Sequence, residues 1–467
     1  MELAKKTDEA IDEVSPNKTT KIKHPPGLYM LFFTEMWERF SYYGMRALLV
    51  MYLTTEFVKG GLGVDKVSAM SLYSTFTALV YLTPIAGGYI SDRYIGHRRA
   101  ITIGGILMAI GQFTLFSNQS TTALYIGLGL LIIGNGFFKP NISTLVGQLY
   151  PDGDKRKDSA FTIFYMGINL GSFFAPLVCG TLAEKVMATT QGGEIIHYGF
   201  RFGFLAAGIG MIIGQILFNS LSNKYLGDLG KTPVTTAKNG VDAAVKNKPL
   251  TKQERNRTIV IFILAAFVIV FWTGFEQAGT SFTIFTQDNL NRSLGGWEVP
   301  VSWFQSLNPL FILLLGIPAS KLWYKLASSE RGDLSIPQKM ATGLIMLGIG
   351  FLLMVGAVMQ IGGSADSALK ANMLWIVGAY LLHTIGELCL SPVGLSMVSS
   401  LAPAKFASAL MGIWLLSNFV ANKVAGVVAS LTETLGYFEI FTGMAFIAIF
   451  IGLILLSLNK KLTKMME

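Results

Sequence analysis

Charge is what this chain has least of. Only 14% of its 467 residues are Asp, Glu, Lys or Arg, against about 25% in a soluble globular domain. A single water-soluble core is therefore excluded. Cysteine is nearly missing as well: Cys179 and Cys389 are the only 2, and both fall in apolar stretches. That excludes a disulfide framework and a thiolate metal centre. The histidines, His24, His97, His197 and His383, are scattered without ligand spacing, so no metal site is expected. No GxxxxGK[ST] loop occurs, which removes the phosphate cradle that ATP-driven pumping needs. The first 26 residues hold no apolar core and no small-residue cleavage site, and no cleaved leader is expected there.

What the chain has in excess is apolar sequence. Hydrophobic residues make up 52%, and the mean hydropathy is +0.51. Twelve apolar spans follow one another, at about 27–55, 68–91, 99–117, 122–148, 159–184, 198–221, 258–287, 301–327, 337–360, 371–396, 403–430 and 436–459. Most have the roughly 20 residues that a bilayer-spanning helix requires. The expectation is an all-α polytopic membrane protein.

The basic residues orient it. Of 37 Lys and Arg, 27 fall in the N-terminal tail, the even-to-odd loops and the C-terminal tail, 6 in or near the opposite loops, and Arg39, Arg46, Lys139 and Lys423 inside spans. By the positive-inside rule, both termini are expected to be cytoplasmic in a multi-pass cell (inner) membrane protein. The net charge of +9 is then a topology signal, and no nucleic-acid partner is expected. A polar segment separates six spans from six. The expected organisation is a tail over 1–26, a six-helix bundle over 27–221, a cytoplasmic linker over 222–257, a second bundle over 258–459 and a tail over 460–467. Repeated halves of this kind place a substrate site near the midplane between them.

Span 1 is the exception to the grease. In TEMWERFSYYGMR, Glu35, Glu38, Arg39, Tyr42, Tyr43 and Arg46 recur at helical spacing and fall within an arc of about 140°. A charge at the bilayer centre costs at least about 2.5–3.5 kcal/mol, so this stripe must face partners or a watery cavity. Further intramembrane charges are Lys139 in span 4, Glu276 in span 7 and Glu387 in span 10, with His383 one turn before it as a packing residue. Cations thus come from the first half and most of the remaining acids from the second. Such a split suits a zwitterionic substrate, and it equally suits salt bridges that hold one mouth shut. With Lys423 set aside as near a span end, counting Glu35, Glu38, Glu276 and Glu387 against Arg39, Arg46 and Lys139 leaves one acid without a full partner, a candidate proton carrier.

Four stretches resemble known families. Gly88, Asp92, Arg93, Arg98 and Arg99 are similar to the loop signature of the major facilitator superfamily, which implies that fold, with twelve transmembrane helices, and an Asp92/Arg93 cytoplasmic latch; His97 beside them is expected to be solvated. ExxERFxYY in span 1, FYxxINxG around Phe164 to Gly171, and GELxLSPxGL from Gly386 to Leu395 resemble the proton-dependent oligopeptide transporters. That resemblance implies a symporter of di- and tripeptides driven by protons as coupling ion, with no other cofactor, working as a monomer by alternating access. Arg39 and Lys139 would meet the peptide carboxylate and Glu387 its amino group, and Asn169 and Asn308 would hydrogen-bond its backbone or ends. Tyr43, Tyr81, Tyr165, Trp272 and Trp414 would form side-chain pockets. Glu35 and Glu38 would serve proton coupling, Glu276 would pair with Arg46 or Lys139, and Lys66 with Asp288 would make an outer gate.

Two positions depart from the family pattern. A coupling histidine found in some members aligns with Ser74, and the linker has no apolar run that would add two helices. Alternative readings are a transporter of nitrate or of a drug-like carboxylate, and a non-transporting membrane sensor. An enzyme is not expected, because no nucleophile and base or metal set accompanies the charges.

Overall fold

The computed structural model describes residues 23–466 except 152, 155, 234–249, 330–331, 364–367 and 404–405. Most of the N-terminal tail, the middle of the linker, Lys155 and Glu467 therefore lie outside the described residues. Twelve long helices follow: α1 Pro26–Thr54, α2 Lys66–Ile90, α3 His97–Ser117, α4 Thr121–Gln148, α5 Arg156–Thr181 and α6 Phe200–Leu226. The second set is α7 Lys252–Phe275, α8 Leu307–Ala327, α9 Ile336–Gln360, α10 Leu374–Leu401, α11 Ala407–Ser430 and α12 Tyr437–Met466. After α7 the chain tightens over Glu276–Gly279 and resumes as a helix over Ser281–Asn289.

Eleven of these segments are long and apolar enough to cross a membrane. Helix α1, at 29 residues, falls outside that group because Glu35, Glu38, Arg39 and Arg46 are spread along it. The linker is shorter than its polar composition suggests, since α6 runs on to Leu226 and α7 begins at Lys252. Helix starts follow capping chemistry. Asp65 accepts from the Ser68 N–H at 2.9 Å and Ser120 from the Ala123 N–H at 3.1 Å, while Thr251 with Glu254 and Ser335 with Gln338 form capping boxes.

An even number of crossings puts both chain ends on one face, called here the terminal face, and the odd-to-even loops on the far face. Arg257 Nε donates to the Met466 carbonyl at 2.7 Å and ties the start of α7 to the end of α12. Three short strand pairs decorate the far face: Thr189–Gln191 with Glu194–His197, Ser293–Leu294 with Trp297–Glu298, and Leu290–Asn291 in parallel with Ala371–Asn372.

Two hydrophobic clusters form, one from α1–α6 and one from α7–α12. Ile284, Val301 and Ala429 belong by sequence to the second half but pack into the first cluster. All three lie toward the far face, where the halves meet. Within each half, small residues allow near-contact of backbones, as membrane helix packing favours. A Cβ on Gly87 would lie 2.0 Å from the Gly136 carbonyl, joining α2 to α4, and one on Gly171 would lie 2.2 Å from the Met36 carbonyl, joining α5 to α1.

The basic loop after α2 is more ordered than a solvated latch. His97 is 2% exposed, with Nδ1 2.7 Å from Asn141 Oδ1 and 3.6 Å from an Asp92 oxygen, so the expectation that it is solvated fails. The cause is the turn at Gly96, whose φ of +81° folds His97 beneath the turn that follows α6, where the Arg98 N–H donates to the Gly230 carbonyl at 3.0 Å. A side chain at Gly96 would also strike the Lys231 carbonyl at 2.8 Å. Arg98 donates to Asn223 Oδ1 at 3.1 Å and to the Gly227 carbonyl at 2.7 Å, closing the exposed end of α6. Arg93 turns to the Tyr89 hydroxyl at 2.8 Å and is not paired with Asp92 in this arrangement.

The adjacent glycines of α2 give a direct test of this packing. Gly87→Ala is expected to cost about 1–3 kcal/mol through overpacking and to lower the melting temperature in detergent. Gly88→Ala, whose Cβ meets only the Pro140 ring, Cβ at 3.6 Å and Cγ at 3.8 Å, is expected to leave it unchanged; equal shifts would contradict the close α2–α4 approach.

Candidate functional site

The α1 stripe points into the protein. Glu35, Glu38 and Arg39 are 2%, 0% and 4% exposed, and they form one cluster. Arg39 Nε lies 3.1 Å from Glu35 Oε1 and also pairs with Glu38. Asn135, one turn before Lys139 on α4, donates to the other Glu38 oxygen at 3.2 Å. Glu38 is thereby held on both oxygens. Glu35 Oε2 and Arg39 Nη2 have no hydrogen-bond partner. A buried unpaired guanidinium N–H next to an unpaired carboxylate oxygen is a costly arrangement unless something else fills it.

Lys139 comes from α4, where Pro140 follows it in the helix. Its Nζ sits 4.6 Å from the centroid of the Tyr81 ring, a cation–π contact. Among the described residues no carboxylate lies within ion-pair distance of it, although Glu35 and Glu38 are within electrostatic reach. Tyr43, half-buried on α1, lies within reach of Arg39 and Arg46 on its own side and of Glu276 and Glu387 on the other.

The second half answers with acids. Glu276, at the break in α7, forms an ion pair with Arg46, whose Nε also donates to the Tyr73 hydroxyl at 2.6 Å. Of the two partners expected for Glu276, the structure brings it to Arg46. Glu387 on α10 accepts from Asn308 Nδ2 at 2.8 Å, and the same amide lies 3.1 Å from Thr384 Oγ1. Among the described residues no cation pairs with Glu387. Each half therefore presents incompletely answered charge, the Lys139 ammonium and the free Arg39 Nη2 from α4 and α1 and the Glu387 carboxylate from α10.

The aromatic and amide candidates divide. Tyr165 keeps 39% exposure, while Tyr81, Trp272 and Asn308 are half-buried, leaving surface for a ligand. Trp272 packs edge-on against Phe271 and Phe275. Asn169 instead donates to the Tyr165 carbonyl at 2.9 Å within its own helix. Trp414, 5% exposed, lies in the core of the second bundle, close enough to Gly394 that a Cβ there would approach its ring to 2.4 Å. His383 is buried beside Phe282 and Phe351, with Nε2 3.1 Å from the Leu347 carbonyl, a packing role.

The halves are joined above this layer. Lys66 Nζ lies 2.9 Å from Asp288 Oδ2, the pair expected as an outer gate. Glu184, which the count of intramembrane acids left out, makes a second join. Its carboxylate accepts from the Val301 N–H at 2.7 Å, the Ser302 N–H at 3.0 Å and the Ser302 hydroxyl at 2.6 Å. It thus caps the turn that leads into α8. Trp303 Nε1 donates to Thr181 Oγ1 at 3.0 Å and Ser306 to the Phe173 carbonyl at 2.8 Å along the same seam. The sequence signal for Glu184 was an acid in the last turn of span 5, easily taken for a loop residue.

Two six-helix bundles, shut at one face and presenting incompletely answered charges of opposite sign between them, define a membrane transporter of the major facilitator fold. The sequence matches the profile of PTR2, the POT family, over residues 98–241 and 223–444. It is 38% identical to the uncharacterized transporter YclF of Bacillus subtilis, over 95% of each chain, and 32% identical to a di-/tripeptide transporter of Lactococcus lactis subsp. cremoris, over 96% of this chain and 98% of the other. Among solved structures, a peptide transporter POT in complex with sulfate superposes with a TM-score of 0.85 at 34% identity, covering 98% of this chain and 99% of that one. A POT family transporter in complex with 5-aminolevulinic acid superposes with a TM-score of 0.84 at 32% identity, over 95% and 98%. The chain belongs to the family of proton-dependent oligopeptide transporters.

Glu184 offers a measurable consequence. Glu184→Ala strips the acceptor from two buried N–H groups, at about 1–3 kcal/mol for each unsatisfied group. Hydrogen exchange at Val301 and Ser302 is expected to accelerate by about tenfold or more, with Glu184→Gln in between. Unchanged exchange in Glu184→Ala would mean that the other seam contacts suffice.

Proposed function

We propose that this protein is a proton-coupled symporter that imports di- and tripeptides by alternating access, with both termini in the cytoplasm of the cell membrane and the monomer as the working unit. The observation that carries this reading is the two sets of incompletely answered charge of opposite sign, one from each half. Arg39 Nη2 and the Lys139 ammonium are donors that suit a peptide carboxylate. Glu387, steadied by Asn308, is an acceptor that suits a peptide amino group. Binding one zwitterion would satisfy both sides and draw the bundles together, which couples occupancy to conformation.

Names of relatives support the substrate class. The Lactococcus lactis relative is a di-/tripeptide transporter, and the ligand of one solved relative, 5-aminolevulinic acid, carries an amine and a carboxylate at its two ends. A single anion such as nitrate would leave Glu387 repulsive. Proton coupling is assigned to Glu35, which has one free oxygen, ahead of Glu38, whose two oxygens are both engaged. Protonating Glu35 would free Arg39 from one acid and leave it available for substrate. Glu276 acts through Arg46, holding the far face shut while the site opens to the terminal face, the cytoplasmic side under the positive-inside rule.

Uptake of labelled dialanine into proteoliposomes under an inward proton gradient tests the reading. The native protein is expected to accumulate dialanine uphill, and an uncoupler to abolish this. Glu35→Gln should keep exchange but lose gradient-driven accumulation. N-acetylated dialanine should compete about ten- to hundredfold more weakly than dialanine, the worth of a hydrogen bond to a charged group, and Glu387→Gln should erase that difference. If dialanine neither accumulates nor competes with any solute, the peptide assignment fails, and uptake of nitrate becomes the next measurement.

A further inference from the structure

We propose that the seam between α2 and α11 at the far face binds the headgroup of an anionic phospholipid, with its phosphate on Lys423. Lys423 is an intramembrane cation that the transport site does not use. Its Nζ crosses between halves to Thr75 Oγ1 at 2.7 Å, and among the described residues no carboxylate lies within ion-pair distance. An ammonium has three N–H donors, so two remain to be satisfied in a place where an unanswered charge is costly.

A cavity of about 300 Å³ opens beside it, lined by residues that include Ser71, Ser74, Lys423, Val427 and Ser430. The hydroxyls of Ser74 and Ser430 are spent on carbonyls of their own helices, at 2.9 and 2.8 Å. The exposed Ser71 hydroxyl has no such bond, so the cavity offers one free donor from α2 and two from the Lys423 ammonium on α11. Its chemistry is therefore that of an anion site built from both halves. No acidic side chain lines it.

The walls decide what kind of anion. Val67, Val427 and Leu431 are 42%, 61% and 39% exposed, and since the halves are shut at this face, these apolar surfaces look onto the bilayer. Lys423 stands seven residues before the end of α11 at Ser430, about 10 Å along the helix axis, and its side chain can reach toward the interface as lysines near helix ends do. A phosphate at the interface with acyl chains running down an apolar wall fits both features, whereas a free phosphate ion would use only the first. The bound lipid would bridge α2 and α11, beside the point where Gly426 closes on Ser74 so tightly that a Cβ would lie 2.0 Å from Ser74 Oγ. It would thus hold the far face closed.

The test uses the full chain in nanodiscs of phosphatidylcholine with or without phosphatidylglycerol, with retained lipid read by native mass spectrometry and stability by melting temperature. The native protein is expected to retain phosphatidylglycerol over phosphatidylcholine by about fivefold more than Lys423→Met does, the effect of one basic residue near the surface. Lys423→Arg should keep the preference and show that the fold survives the change. Inorganic phosphate added to phosphatidylcholine nanodiscs should leave the melting temperature unchanged. Equal retention by the native chain and Lys423→Met would overturn the site. A stabilisation by inorganic phosphate that needs Lys423, without selective lipid retention, would overturn the lipid as its occupant.

Discussion

A charge inside a bilayer must be answered by another group of the same protein, and the arrangement of this molecule follows from how completely each charge is answered. Arg46 is met by Glu276 and by the Tyr73 hydroxyl. Glu38 is met by Arg39 and Asn135. Both sets are closed, and they fix α1 against α4 and α7. Arg39, Lys139 and Glu387 are left partly open, each steadied by a neutral or already shared neighbour. Static charges build the frame, and incomplete ones make the site.

The frame needs helices that approach closely enough for such short side-chain bridges. Glycines at the α2–α4 and α5–α1 crossings supply that approach, because without a Cβ two backbones can almost touch. In return, the polar clusters set the register of those crossings: an Asn135 one position out of place would not reach Glu38. Packing and electrostatics therefore specify the same arrangement, which is what a uniquely folded membrane bundle requires.

Much of this was legible in the sequence, and the reasons differ by residue. The stripe on α1 stood out because ionised residues in an apolar span are rare and their spacing fixes a helical face. The Lys66–Asp288 and Arg46–Glu276 pairs rested on family resemblance, since they join residues 222 and 230 positions apart that no local pattern connects. Glu184 escaped because composition cannot distinguish the last turn of a span from the loop beyond it. His97 was misread for a related reason: whether a polar residue in a basic loop is solvated depends on what folds over it, here the turn around Gly230 that follows α6. Trp414 is 5% exposed within the second cluster, and a tryptophan fills a core as readily as it lines a pocket, so its place in the fold does not by itself assign it to either.

The contacts that shut the far face are graded, and the gradient bears on how the face opens. Lys66 and Asp288 are 40% and 38% exposed, and a pair so hydrated contributes about 0–1 kcal/mol. Arg46 and Glu276 are 11% and 6% exposed, and leaving one such partner alone costs about 3–5 kcal/mol. The Lys66–Asp288 pair can therefore fluctuate cheaply, while the Arg46–Glu276 pair and the buried Glu184 seam cannot. Under the proposed function, opening this face separates Arg46 from Glu276, and the groups able to offer either one another partner are a substrate end, a proton, or the neighbouring charges on α1 and α10. Part of the resistance to opening thus lies at the depth of the candidate site, where under the proposed function a ligand acts on it directly, and part lies in the Glu184 seam above it, which no ligand at that site touches.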